Sequence, residues 1–175
     1  MRRRDFLATL GVGAAGAISW GGTVSDVLAE PLNPETGFLL STTGCSAATA
    51  HPAANKIVTV DGKTHVGWLD SDNEGFKVRV RTLNRASGHW SPKYTVGDAF
   101  DNHGGPALTV DSKGFLHAVY YPHHHSFRYR RSTRPNDASE WTNEVSFGKR
   151  CTYPSPVCGR DDTLYLACRE SGGPQ

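Results

Sequence analysis

The sequence predicts an all-β protein, a β-propeller of four-stranded antiparallel blades, of which this chain holds about two and a half. The chain contains three predicted hairpins, each made of two apolar strands joined by a turn that contains an aspartate. These aspartates, Asp61, Asp111 and Asp161, are spaced by 50 residues. Between these hairpins, apolar and cationic residues alternate with the period of a half-buried strand. Four Trp, six Tyr and seven Phe beside a single Met are also typical of a β-rich core.

The first residues of the chain are predicted to be an export signal. Arginines occupy positions 2–4, just before Phe6 and Leu7, and a weakly apolar Gly/Ala-rich stretch covers residues 8–17. Small residues suited to signal peptidase follow at 27–29, which completes the order of a secretory signal. An amphipathic helix is the alternative, but its glycine content disfavours it.

The paired arginines before Phe-Leu resemble a twin-arginine (Tat) signal. We therefore expect residues 1–29 to be a Tat-type signal peptide, with the Tat export machinery as a partner. The expected location is periplasmic or extracellular. Residues 30–50 form an N-terminal segment before the repeats begin.

The predicted hairpins cover residues 56–68, 107–120 and 156–168, each with a turn at its aspartate. Third strands are predicted at 76–81 and 127–130. Outer fourth strands open near two tryptophans, so we expect Trp90 and Trp141 to occupy equivalent positions.

Four short strands in about 50 residues are typical of one propeller blade. The predicted blades are 51–100, 101–150 and an incomplete 151–175. Because propellers close with roughly four to eight blades, we expect the chain to be the N-terminal part of a longer protein, truncated at its C-terminus. A small complete β-sandwich is the alternative, although the repeat would then end within a unit.

Composition excludes two classes of protein. Nineteen basic and seventeen acidic side chains leave a formal charge of +2, and no basic block persists beyond the N-terminus, so no nucleic-acid partner is predicted. No apolar run reaches about 18 residues, so no membrane span is predicted in the mature chain.

A candidate site follows from hairpin geometry. The start of strand one and the end of strand two lie at the same end of a hairpin. His103 and Tyr153 each precede the aspartate of their own hairpin by eight residues, so they are predicted at the same position in neighbouring blades. Three histidines, residues 123–125, and Arg169 follow second strands. We expect these groups to share one axial face, where a pocket can form.

Other histidines and the cysteines have simpler interpretations. His65 and His117 lie inside strands and are expected to be packing residues. The run at 123–125 lacks a spacing such as His-x-x-x-His, so no metal and no cofactor is predicted. The four cysteines allow three disulfide pairings that the sequence does not distinguish, and none is expected to be a catalytic thiol. These cysteines are Cys45, Cys151, Cys158 and Cys168.

Several of these segments resemble the BNR-repeat-containing, sialidase-like seven-bladed propellers. Within that group the chain looks most like the propeller polysaccharide lyases, typified by ulvan lyases. The sialidase box Ser-x-Asp-x-Gly-x-x-Trp is not matched by residues 71–75, so sialidase activity is not predicted. The resemblance is carried by residues 101–108, 110–121, 123–125, 129–132, 152–157, 164–166 and Arg169.

The resemblance implies that His103, a second histidine, Tyr153 and Arg169 are catalytic. We favour His124 for the second histidine position, with His123 next. It also implies a polysaccharide substrate that contains uronate and is cleaved by β-elimination.

The chemistry of elimination suits these residue types. An arginine fork can neutralise the uronate carboxylate and make the C5 proton acidic. Histidine and tyrosine can remove that proton and protonate the leaving oxygen.

Two alternatives stay open. A glycoside hydrolase needs two carboxylates on either side of one bond, and the candidates Asp70, Asp101 and Glu170 are spread over three blades. A non-catalytic propeller that binds glycans or proteins is the other alternative.

Overall fold

The computed structural model describes residues 37–49 and 51–172. The predicted export signal, residues 1–29, lies outside this part of the chain. The described residues contain nine strands and no helix, so no helix there could cross a membrane.

The strands form two antiparallel sheets in chain order. The first sheet contains β1–β4 and the second contains β5–β9. Their bounds are β1 Ile57–Val60, β2 Lys63–Asp72, β3 Gly75–Asn84, β4 Tyr94–Ala99, β5 Ala107–Val110, β6 Leu116–Tyr120, β7 His125–Arg131, β8 Val145–Cys158 and β9 Leu164–Glu170.

The three predicted hairpins are confirmed as β1–β2, β5–β6 and β8–β9. In the first, Val60 pairs with Lys63 across a two-residue turn. Both turn residues, Asp61 and Gly62, have positive φ (44° and 75°). Such a turn matches the twist of the flanking strands.

The predicted equivalence of Trp90 and Trp141 is also confirmed. Trp90 forms an isolated bridge with Leu83, and Trp141 forms one with Ser132. Each tryptophan lies four residues before the strand that follows it, β4 or β8. The predicted outer strands therefore begin later than the tryptophans.

The second and third predicted blades share one long strand. β8 pairs with β7 near Val145 and with β9 from Cys151 onward, which makes the second sheet five-stranded. Positive φ at Gly148, Arg150 and Tyr153, with a register shift after Thr152, disturbs the regular strand between these pairings. The expected boundary at 150/151 falls inside this irregular part of β8.

The two sheets pack through a core that includes Val78, Val80, Leu108 and Tyr120. Tyr120 is fully buried, and its hydroxyl donates to Glu144 Oε2 at 2.8 Å. A Cβ on Gly97 of β4 would lie 2.8 Å from Tyr120 Cε2. The first sheet can approach the tyrosine ring only because position 97 has no side chain.

Asp70, at the end of β2, is a fully buried carboxylate. It accepts hydrogen bonds from Trp68 Nε1 at 2.6 Å and Lys93 Nζ at 2.8 Å, and Arg79 Nε lies 3.5 Å away. Burial alone would raise the pKa of Asp70, but hydrogen bonds, chiefly from Lys93, hold it below its ordinary value of 3.8. The charged form is therefore the one that the fold stabilises.

Replacing Gly97 by alanine should lower the free energy of unfolding by about 1–3 kcal/mol, because the added methyl group overpacks a core that is already filled. Urea unfolding measures this change. Gly105→Ala is the matched control, since a Cβ there has no neighbour closer than 3.9 Å. Equal unfolding midpoints for the two variants would contradict the packing described for Tyr120.

Stability should fall in acid partly through Asp70. A carboxyl group whose pKa is lowered by folding contributes its full stabilisation when the pH is above its ordinary pKa. It loses that stabilisation as the pH falls through the pKa of the folded state. Asp70→Asn should therefore lower the free energy of unfolding by about 3 kcal/mol at neutral pH. It should also remove the part of the acid sensitivity that comes from Asp70. The wild-type advantage, measured by urea unfolding, should shrink below about pH 4. A constant difference across that range would contradict the role given to Asp70.

Candidate functional site

The five predicted site residues lie together in a closed ring of contacts. His103 Nδ1 lies 3.0 Å from His123 Nδ1, and the His123 and His124 rings are 4.4 Å apart. Arg169 Nη2 lies 3.4 Å from His124 Nε2, and Arg169 Cζ lies 4.8 Å from the centre of the Tyr153 ring. Tyr153 closes the ring, 6.2 Å from His103. The five residues therefore lie together at the end where the hairpins begin and end, which is the end that hairpin geometry predicts.

The loop between β4 and β5 presents His103. The backbone N–H of His103 donates to Asp101 Oδ1 at 2.8 Å. Phe100 N donates to Tyr121 O at 3.0 Å, and Tyr121 N donates to Gly104 O at 3.1 Å. A Cβ on Gly104 would meet Tyr121 O at 2.5 Å, so glycine permits the close approach that fixes the loop against the end of β6.

Asp101 orients the histidine pair. Its Oδ2 lies 2.7 Å from His123 Nδ1. An ionised carboxylate can only accept, so His123 carries its proton on Nδ1 and leaves Nε2 free as an acceptor. The same Nδ1 proton faces His103 Nδ1, which leaves the proton of His103 on Nε2. One imidazole thus offers a base and the other a hydrogen-bond donor.

His124 has a different place from the one expected. The resemblance favours it for the second histidine position, but its backbone N–H donates to Cys151 O at 3.1 Å and its φ is +64°. This conformation places its Nδ1 2.7 Å from Ser171 Oγ and its Nε2 against Arg169. His123 is therefore the imidazole that faces His103.

Contact with Arg169 requires an uncharged His124 ring, because the guanidinium can only donate. Desolvation lowers the pKa of His124, and the positive charges of Arg169 and Arg150 lower it further. The neutral ring accepts from the arginine and can donate from Nδ1 to Ser171. Arg169 itself is exposed, so its remaining N–H groups are open to a ligand.

Backbone strain is concentrated near this ring. Positive φ values occur at His51 (66°), Tyr121 (93°), His124 (64°) and Tyr153 (56°). Bulky residues rarely adopt this region, and such strain is found preferentially at functional sites.

Two nearby residues were not predicted. His51 stacks on Tyr153 with ring centres 4.6 Å apart, and burial of Lys56 lowers its pKa to about 8. Both precede β1, and the repeat pattern of the sequence assigns neither of them to the site. Their proximity results from long-range pairing, which no local pattern reports.

Asp101, His103 and His123 could together hold a metal ion. Each offers one ligand atom, and these atoms lie within 4.8 Å of one another. Carboxylate and imidazole donors suit Zn²⁺, although here the contacts of His123 Nδ1 with Asp101 Oδ2 and His103 Nδ1 use the same atoms. The expectation that the site works without a metal stays a prediction.

The remaining histidine expectations are confirmed. His65 is fully buried, with its ring nitrogens 2.8 Å from Thr82 Oγ1 and 2.8 Å from Asn136 Oδ1. His117 is also buried, with its nitrogens 2.7 Å from Tyr129 OH and 3.2 Å from Asp111 Oδ2. Both rings are packing residues whose polar atoms are satisfied.

The thiols of all four cysteines are free in this structure. None of them belongs to the ring of site contacts. Cys151 contributes through its backbone, since its carbonyl accepts from His124.

The carboxylates considered for hydrolysis are engaged elsewhere. Asp70 is buried in its ion pair, and Asp101 accepts from His123 and from the His103 backbone. Only Glu170 is exposed. A pair of free carboxylates is therefore not presented by these three residues.

A family model of BNR repeat-containing proteins matches residues 63–173. Two similar curated proteins are ulvan lyases. The PL25 ulvan lyase of Pseudoalteromonas sp. (strain PLSV) is 24% identical over 151 residues, and the ulvan lyase of Alteromonas sp. (strain LOR) is 26% identical over 148 residues. Each alignment covers 70% of this chain and 29% of the relative, so the chain spans less than a third of their length.

Solved structures show the same fold. A PL25 ulvan lyase superposes with a TM-score of 0.60 at 20% identity, over 70% of this chain and 34% of the lyase. The same scores apply to that lyase bound to -[GlcA(1-4)Rha3S]-. The polysaccharide lyase Uly1 gives a TM-score of 0.55 at 14% identity, over 78% of this chain and 40% of the lyase. The prediction of a partial, all-β propeller is confirmed.

Replacing Asp101 by asparagine should remove the preference of His123 for the Nδ1–H tautomer, because an amide can donate to Nδ1 as well as accept from it. Side-chain ¹⁵N NMR of the histidines measures the tautomer populations. Asp98→Asn is the control, since Asp98 pairs with Lys77 on the surface of the first sheet. An unchanged His123 tautomer in the Asp101 variant would contradict the assignment.

Proposed function

This chain belongs to the family of BNR repeat-containing proteins, and on that premise we propose that the protein is a polysaccharide lyase. It cleaves a uronate-containing polysaccharide by β-elimination. The observation that carries the proposal is the ring of contacts that joins an exposed arginine, a tyrosine and an aspartate-oriented histidine pair. These are the groups that elimination needs, within reach of one sugar residue.

Arg169 binds the carboxylate of the uronate. Its planar fork matches the two carboxylate oxygens and stabilises the negative charge that develops when the C5 proton leaves. His124, which accepts from one guanidinium nitrogen, helps to hold the fork in place.

His123 and Tyr153 move the protons. His123 Nε2 takes the C5 proton, and the resulting imidazolium is stabilised by Asp101 on its other nitrogen, as in hydrolytic triads. The Tyr153 hydroxyl protonates O4 as the C4–O4 bond breaks. His103 Nε2–H donates a hydrogen bond to the developing enolate. Electrons from the C5–H bond form the C4–C5 double bond of the product.

The substrate is proposed from the relatives. Two of them are named ulvan lyases, and one lyase structure contains a glucuronate–sulfated rhamnose fragment. We propose a sulfated, uronate-containing polymer of this kind for the present protein. Export through the Tat route to the periplasm or the exterior, where such polymers occur, is proposed from residues 1–29.

Other functions are less well supported. Glycoside hydrolysis lacks a pair of free carboxylates among the candidates considered. A non-catalytic glycan-binding propeller does not require an aspartate that orients two imidazoles.

Arg169→Lys in the intact protein should lower kcat on ulvan by about 10²-fold, because lysine keeps the charge but loses the fork. The assay follows ultraviolet absorbance of the unsaturated uronate product. Arg160→Lys, in the turn at the other end of the β8–β9 hairpin, is the matched control and should be fully active. If the protein binds glycans but releases no unsaturated product from any uronate polymer, the lyase proposal is wrong. The protein would then be a non-catalytic glycan-binding propeller.

A further inference from the structure

We infer that His51 is a positioning residue of this site, whose ring holds the Tyr153 phenol on the face opposite Arg169 and sets its separation from His103. The inference deepens the proposed lyase function and rests on it. His51 lies before residue 63, where the family match begins.

His51 contacts two of the groups that have a role in the proposed elimination. Its ring is stacked on Tyr153, with centres 4.6 Å apart and planes inclined at 29°. It also meets His103 edge-on, at 5.0 Å and 72°. Both distances lie in the range of favourable aromatic contacts. Since Tyr153 and His103 are themselves 6.2 Å apart, the three rings form a triangle in which His51 touches both partners.

Arg169 supports the other face of the phenol. Its guanidinium carbon lies 4.8 Å from the centre of the Tyr153 ring. A guanidinium and an imidazole at such similar distances from one ring centre are most simply accommodated on its two faces. Tyr153 is then confined between them, which restricts rotation of a hydroxyl that must point at the leaving oxygen.

The backbone around His51 is anchored to the strand that follows the His103 loop. His51 O accepts from Ala54 N at 3.0 Å. Asn55 pairs twice with Leu108 of β5, through Leu108 N to Asn55 O at 2.7 Å and Asn55 Nδ2 to Leu108 O at 3.1 Å. His51 and His103 are therefore held by the same strand. The left-handed φ of His51 is a strain that this anchoring offsets.

The chemistry of the His51 ring suits support and not proton transfer. Burial lowers the pKa of His51, and the positive charge of Lys56 lowers it further. A neutral ring does not repel Arg169 through the intervening phenol. Its Nε2 is buried without a hydrogen-bond partner in the described structure. An unpaired buried nitrogen is unfavourable, so packing of the ring, and not hydrogen bonding, accounts for its position.

The test compares His51→Ala with His51→Phe in the intact protein. Alanine removes the ring and should lower kcat on ulvan by about 10²-fold with little change in KM, because a displaced reacting group costs about this much. Phenylalanine restores a flat ring and should recover most of the rate. His89→Ala, an exposed histidine in the turn before Trp90, is the control. An unchanged kcat in His51→Ala would overturn the inference, as would equal loss in both variants.

A second measurement does not depend on activity. In protein labelled with ¹³C-tyrosine, the Tyr153 ring signal is identified by its loss in Tyr153→Phe. We expect it to shift in His51→Ala and to stay near its original position in His51→Phe. If the Tyr153 signal does not shift when the His51 imidazole is removed, the inference fails even if the protein is a lyase. If the wild type makes no unsaturated product, the proposed function fails, whatever the tyrosine signal shows.

Discussion

Packing of the first sheet against Tyr120 is the contact on which the remaining structure depends. Gly97 lets β4 approach the tyrosine ring, and the hydroxyl donates to the partly buried Glu144. The next residue, Tyr121, exchanges backbone hydrogen bonds with both ends of the loop that carries Asp101 and His103. A change in the spacing of the sheets would therefore be transmitted directly to the candidate site.

The two ends of the sheets use polar groups differently. At the turn end, polar contacts tie successive hairpins together: His65 meets Asn136, and Asp162 accepts from Ser112 N at 2.7 Å and from its hydroxyl at 2.8 Å. At the opposite end the polar side chains contact mainly one another, and Arg169 and His124 stay exposed. The turn end supplies rigidity, while the other end retains groups that can receive a polymer.

Order at the site comes from strained backbone and from aromatic contacts more than from ion pairs. Left-handed φ values occur at His51, His124 and Tyr153. Backbone hydrogen bonds hold two of these residues, from Ala54 N to His51 O and from His124 N to Cys151 O. Such an arrangement suits the proposed elimination, since groups that are already in place need no reorganisation when charge develops.

The sequence by itself determined the all-β class, the three hairpins and the end of the sheets at which His103, Tyr153 and Arg169 meet. These features follow from local rules, namely the period of two in strands, the chemistry of Asp-containing turns and the return of an antiparallel hairpin to its starting end. Tertiary structure alone decided that His123 faces His103 while His124 contacts Arg169, because the His124 backbone N–H donates to Cys151 O from a distant strand. It also decided the role of Asp101 and brought His51 to Tyr153 through the pairing of Asn55 with Leu108. These contacts join residues far apart in the chain, and no periodic pattern in a single segment records them.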